Sequence, residues 1–108
     1  MFDIEDRPTF IRPVKVVMPA GRSSLEQDFT AKFEALDVPT FNTFDLSTAE
    51  GAQSFLERVL VDVGDVLSGG QPATYSIELR DKLIALPWAR KGLIEAYLKG
   101  FGDEQRGN

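Results

Sequence analysis

One hundred and eight residues, 43% of them hydrophobic and 27% charged, supply the core of one globular domain and leave no room for two. Cysteine and histidine are both absent, which excludes disulfides and thiolate or imidazole metal sites and removes the commonest general base near neutral pH. Seventeen acidic against twelve basic residues give a formal charge of -5, a field that repels nucleic acid, so no nucleic-acid partner is expected.

The chain opens Met1-Phe2-Asp3-Ile4-Glu5 without the basic and apolar regions of a secretory leader, and no apolar run approaches the about 20 residues that a membrane span needs. Neither export nor a membrane partner is expected. Phe10 to Pro19 reads as a strand with Val14, Val16 and Met18 on one face and Ile11, Lys15 and Val17 on the other. Pro13 withholds a backbone donor, which marks an edge strand. After the turn-rich Ala20 to Ser24, the stretch Leu25 to Ala35 alternates with period two: Phe29, Ala31 and Phe33 belong with Leu25 and Ala35 on the core side, opposite Glu26, Asp28, Thr30, Lys32 and Glu34. An antiparallel β-hairpin over residues 8–36 follows.

Asp37 to Asp45, with Pro39, Phe41 and Phe44, has no period and fits either an anchored loop or a short helix. Ser47 and Glu50 have the spacing of a capping box and predict a helix start. On a helical wheel Ala49, Ala52, Phe55, Leu56, Val59, Leu60, Val63, Val66 and Leu67 fall on one arc, opposite Gln53, Glu57, Arg58, Asp62 and Asp65, which predicts an amphipathic helix of about five turns with Val61 as the apolar exception. Ser68 to Pro72 stop it. Ser76 predicts the start of another helix with a narrow stripe of Tyr75, Leu79, Leu83 and Leu86, and Pro87 suits the first position of a last one.

That last helix sets Ala89, Leu93, Ala96, Tyr97 and Gly100 on one face, with Trp88, Ile94, Leu98 and Phe101 lying away from it. Such apolar excess is what a protein interface would bury, or else what neighbouring elements cover on both flanks. The candidate protein-interaction residues are therefore Trp88, Ile94, Leu98 and Phe101. The predicted architecture is α+β, an N-terminal antiparallel β-hairpin followed by about three α-helices: a single domain over 1–108, with its helical part at 47–101 and a flexible tail at 102–108.

Residues suited to catalysis are sparse. The serines occupy turn and cap positions. Asp62 with Asp65, and Asp3 with Glu5 and Asp6, read as solvated charge rather than ligands for a hard cation. Gly21-Arg22-Ser23-Ser24 lacks the lysine and the following helix of a phosphate loop, and Arg90 with Lys91 is too short for a phosphate-tracking stripe. No catalytic residue, cofactor or metal is expected, and the chain reads as a protein-binding molecule rather than an enzyme.

The order of these elements, with the stretches Phe55-Leu56-Glu57-Arg58-Val59-Leu60-Val61 and Leu83-Ile84-Ala85-Leu86-Pro87-Trp88-Ala89-Arg90 running on to Leu93–Gly100, resembles the tail assembly chaperones of long-tailed, siphovirus-type bacteriophages and prophages over residues 10–100. Where many of those proteins carry a tryptophan soon after the first stretch, this chain has Val63 and Gly64. The resemblance implies a non-enzymatic protein of the host bacterial cytoplasm that coats the tape measure protein, helps the major tail protein polymerise around it and leaves before the tail is finished. It also implies self-association into a homo-oligomer and, in this family, a longer frameshifted product. A structural or tail-completion protein and a small acidic protein-binding inhibitor are the competing readings.

Overall fold

The structure, a computed structural model, describes residues 1–102, with side chains as far as Gly100. Its first element is the expected hairpin: β1 (Thr9–Ala20) and β2 (Ser23–Glu34) pair antiparallel in unbroken register from Thr9↔Glu34 to Ala20↔Ser23. Gly21, at φ 62°, opens the connecting turn, and Arg22 follows without a positive φ. This is the pattern of a type II′ turn, whose twist matches the strands it joins.

Asp37 then caps a single helical turn, α1 (Val38–Phe41), by accepting the Thr40 N–H at 2.9 Å. The next helix, α2 (Ala49–Val59), is capped by Thr48, which accepts the Gly51 N–H at 3.0 Å. Ser47 instead turns back to hydrogen-bond the Asp45 carboxylate, so the cap lies one residue beyond the expected position. That same bond, with the one from the Ser47 N–H, holds the Asp45 carboxyl below its ordinary range.

The expected five-turn helix ends after eleven residues. At Leu60 the backbone switches directly to extended geometry and forms β3 (Leu60–Gly64), which pairs antiparallel with Thr30 to Phe33 of β2. Three β-branched valines within five residues, Val59, Val61 and Val63, suit a pleated surface at least as well as a helix, and the unpaired edge of β2 tips the balance. Val61 sits at the register shift opposite Lys32/Phe33, and its side chain is exposed; the apolar exception on the wheel is a bulge residue. The region 47–101 is thus not wholly helical.

Asp65, with φ 62°, turns the chain away from the sheet. Leu67–Ser68 (β4) and Gln71–Pro72 (β5) then form a minimal hairpin around Gly69 and Gly70, both at positive φ; these glycines make a hairpin turn rather than end a helix. The helix α3 (Ile77–Ala85) is capped by Ser76 as expected, and α4 (Pro87–Tyr97) begins on its proline after Leu86 alone as linker. A residue before proline is driven into the extended region, and Leu86 lies there at φ -88°, ψ 116°. A π-helical turn, Leu98–Gly102, closes the described chain. The tail expected at 102–108 lies, from 103 onward, outside the described residues.

The sheet, in the order β1-β2-β3, presents one face to the helices. Tyr97 is fully buried at the centre of the core, its ring 4.9 Å from that of Phe55, 5.4 Å from Phe10 and 5.6 Å from Phe33. The two phenylalanines of the irregular segment anchor here: Phe41 and Phe44 meet Phe55 edge-on at 5.7 and 5.6 Å. The Leu36 N–H donates to the Tyr97 hydroxyl at 3.1 Å, which gives the buried phenol a polar contact. Burial pushes the Tyr97 pKa up, and the Leu36 contact works against it.

Candidate protein-binding groove

The three-stranded part of the sheet ends where β3 ends. Beyond Thr30 the hairpin continues as two strands alone, and the residues from Gly21 to Asp28 are all exposed. Its inward face still carries the alternation begun in the core: Val14, Val16 and Phe29 are buried beneath it, Met18 is half-buried, and Leu25, on the same face, is 46% exposed. The expected core side of β2 therefore loses its cover progressively towards the tip.

Under this overhanging stretch lies a groove of about 570 Å³. Val16, Met18 and Phe29 form its roof, Leu83, Leu86, Trp88 and Ala89 at the α3–α4 junction form its floor, and Val66 with Leu67 closes one side. Polar members are confined to Gln27, Asp28 and Asp65. Leu67 is 66% exposed and Leu86 39%, so the groove joins apolar surface that the chain itself leaves in water.

The floor is held rigidly. Pro87 sets the break between the helices, and the Arg90 guanidinium donates to the Ile84 carbonyl at 3.2 Å, tying α4 to the end of α3. Arg90 is thereby engaged as a brace and does not form a basic patch with Lys91. On the other side, Arg80 of α3 reaches the Glu57 carbonyl at 3.3 Å, and the Tyr75 hydroxyl donates to the Leu60 carbonyl at 3.1 Å. Burial raises the pKa of Tyr75, which keeps that hydroxyl protonated as a donor.

The candidate interaction residues do not form one patch. Trp88 is half-buried on the groove floor. Ile94 faces a separate, shallower depression of about 400 Å³ bounded by Leu46, Thr48 and Pro87. Leu98 is half-buried against the core, and the side chain of Phe101 lies outside the described residues. The flanks of α4 are largely covered by its neighbours, and the exposed apolar surface has moved to Leu67, Leu86 and the hairpin. Sequence periodicity pointed to Trp88 but missed Met18, Leu67 and Leu86, because their exposure depends on where β3 stops and not on the pattern of their own segments.

The acidic pairs are likewise separated from any common site. Asp62 lies on β3, where its carboxylate accepts the Val63 N–H at 2.9 Å, and Asp65 sits in the following turn; neither is on a helix, as the wheel had them. Asp3 accepts the Glu5 N–H at 2.9 Å within a turn at the amino end. Among the described residues no three carboxylates are grouped so that they could hold a metal ion, and no helix is long and apolar enough to cross a membrane. Comparison of this chain with models of known families, with curated proteins and with solved structures found no match.

Proposed function

We propose that this protein is a non-enzymatic assembly factor that holds another protein during construction of a larger structure, in the manner of a phage tail assembly chaperone acting on the tape measure protein in the host bacterial cytoplasm. The observation that carries the reading is the groove: an apolar channel continuous with exposed Leu67 and Leu86, floored by a tryptophan on a braced helix junction. Exposed contiguous apolar surface is unfavourable in a free chain unless a partner covers it, and tryptophan in a rigid pocket is the residue type that most often dominates such contacts. The order of elements that resembles the tail assembly chaperones supplies the choice of client.

The groove moves the binding surface from the outer flank of α4 to its first turn. In this reading Trp88 contacts the client, with Leu67 and Leu86 beside it. Co-expression with a tape measure protein and a major tail protein of a long-tailed phage, followed by affinity capture, tests the reading. Capture of the tape measure protein that is lost in Leu67→Asp and retained in Leu98→Ala supports it. Presence of the chain in finished tails would make it a structural component, and absence of capture from soluble, folded partners would overturn the proposal.

A further inference from the structure

The backbone geometry of the hairpin settles which edge of the sheet is open. Ala20 and Ser23 close a two-residue turn, and residues that close such a turn exchange both of their hydrogen bonds with each other. Alternation then directs the N–H and C=O groups of Ser23, Leu25, Gln27 and Phe29 towards β1, and those of Ser24, Glu26 and Asp28 away from it. Thr30 and Lys32 continue the outward series, and these are residues that meet Gly64 and Asp62 of β3. Beyond Thr30 β2 has no further strand beside it among the described residues, and no turn, loop or cap bond reaches the backbone of Ser24, Glu26 or Asp28.

The other two edges are closed by specific devices. On β1 the outward positions include Pro13 and Pro19, which have no N–H, and Lys15, whose carbonyl oxygen abuts Gly92 of α4 so closely that a Cβ there would collide with it. On β3 the Val63 N–H is taken by the Asp62 carboxylate and the Leu60 carbonyl by the Tyr75 hydroxyl. Proline, lysine and side-chain capping are common means by which sheets prevent edge pairing. The Ser24–Asp28 segment has no proline, lysine or capping side chain; its charged residues are Glu26 and Asp28, which deter a like-charged strand but not a basic one, and it borders the apolar groove.

We propose that this edge accepts an extended segment of a partner protein, of alternating apolar and basic residues, which adds to β2 as a strand in line with β3. Strand pairing on this edge ends at Thr30↔Gly64, and Asp65 follows at φ 62°, so no strand of the sheet lies in line with β3 beside Ser24–Asp28. A strand placed there, about 4.8 Å from β2, directs alternate side chains inward to the groove under Met18 and Phe29, over Trp88. Its other side chains lie beside the outward-facing Glu26 and Asp28, with Asp62 further along on β3. Main-chain bonds supply affinity in this mode of recognition, and the alternate pockets supply specificity. The Glu26 and Asp28 carboxylates nearest the added strand and the overall charge of -5 select basic residues for the outward positions; Lys15 of β1 meets Glu26 at 3.4 Å, but as an exposed pair it leaves that carboxylate accessible to a partner. A second copy of this chain fits less well: two-fold antiparallel pairing about Glu26 sets two Glu26 carboxylates opposite one another, pairing about Gln27 sets Glu26 opposite Asp28, and pairing about Leu25 sets Glu26 opposite Ser24, so none of these registers offers Glu26 a basic residue. The inference concerns the edge and holds whatever the identity of the client.

The test uses the full chain and a synthetic peptide of about seven residues alternating valine with lysine, against a peptide of the same composition arranged in blocks. The alternating peptide is expected to slow amide exchange at Ser24, Glu26 and Asp28 by at least about tenfold, leaving Leu25 and Gln27 unchanged. Glu26→Pro, which repeats on β2 the device that β1 has at Pro13 and Pro19, should abolish that protection. Because proline could also loosen the hairpin, the double variant Glu26→Lys with Asp28→Lys is the second arm; it should weaken binding at least about tenfold with the hairpin intact. Equal protection by the block peptide, no protection up to about 1 mM peptide, or concentration-dependent protection of the same amides without peptide, meaning self-pairing, would each overturn the proposal.

Discussion

The two halves of the hairpin share one turn, one register and the same alternation, yet they are in different physical situations. From Thr9 to Val14, β1 and its partners on β2 lie over Tyr97, Phe55 and Leu93, all fully buried, and β3 flanks β2. From Val16 to Leu25 the same pattern faces a groove, and the outer edge of β2 has no neighbour in the sheet. The difference teaches that an apolar face specifies a direction, while the elements beneath and beside it decide whether that direction leads to a core or to a surface that another chain could cover. The near half is part of the core, and the far half carries the surface proposed for recognition.

The largest expected effect lies in the near half. Phe55→Ala removes a fully buried ring that meets Tyr97, Phe41 and Phe44, and should cost about 3–5 kcal/mol in urea denaturation; a loss under 1 kcal/mol would mean that the aromatic cluster does not hold the fold. Gly92→Ala probes the junction between the halves. A Cβ there meets the Lys15 backbone and Val14, and since backbone cannot swing aside as a side-chain tip can, a destabilisation of about 1–3 kcal/mol is expected from forced overpacking.

A pH titration sharpens the same boundary. The pKa of Tyr97 is raised by burial, so above the ordinary tyrosine value of 10.0 the folded state holds a proton that the unfolded state has lost. Stability from this group is complete below that value and falls as pH rises through the raised pKa. Phenolate absorbance followed through alkaline unfolding should show delayed ionisation of both tyrosines, of which only the Tyr75 part remains in Tyr97→Phe. The smallest expected effect belongs to the far half. Leu25→Ala, at a side chain 46% exposed, should change stability by no more than about 0.5 kcal/mol, and a core-sized loss there would erase the distinction between the halves.

The amino-acid sequence by itself determined the elements whose causes are local. Strand alternation in Val14, Val16, Phe29, Ala31 and Phe33, the turn at Gly21, the cap at Ser76 and the proline start at Pro87 all depend on neighbours a few residues away, and their physics is legible in a window of that size. The α+β class with an N-terminal hairpin followed from them. Trp88 was legible as an apolar residue off the main face of α4, although its place on a groove floor was not.

Only the tertiary structure decided the fate of Leu60 to Gly64. Its wheel and its valines suit helix and strand about equally, so the choice fell to the hydrogen-bonding groups of β2 at Thr30 and Lys32, distant in sequence, which β3 satisfies. That choice shortened α2, left Val61 as a bulge residue and set the point where β2 loses its neighbour. The groove and the open edge of Ser24, Glu26 and Asp28 both follow from where β3 stops. A site of this kind has no motif of its own, because it is defined by the end of a long-range pairing and not by the residues that line it.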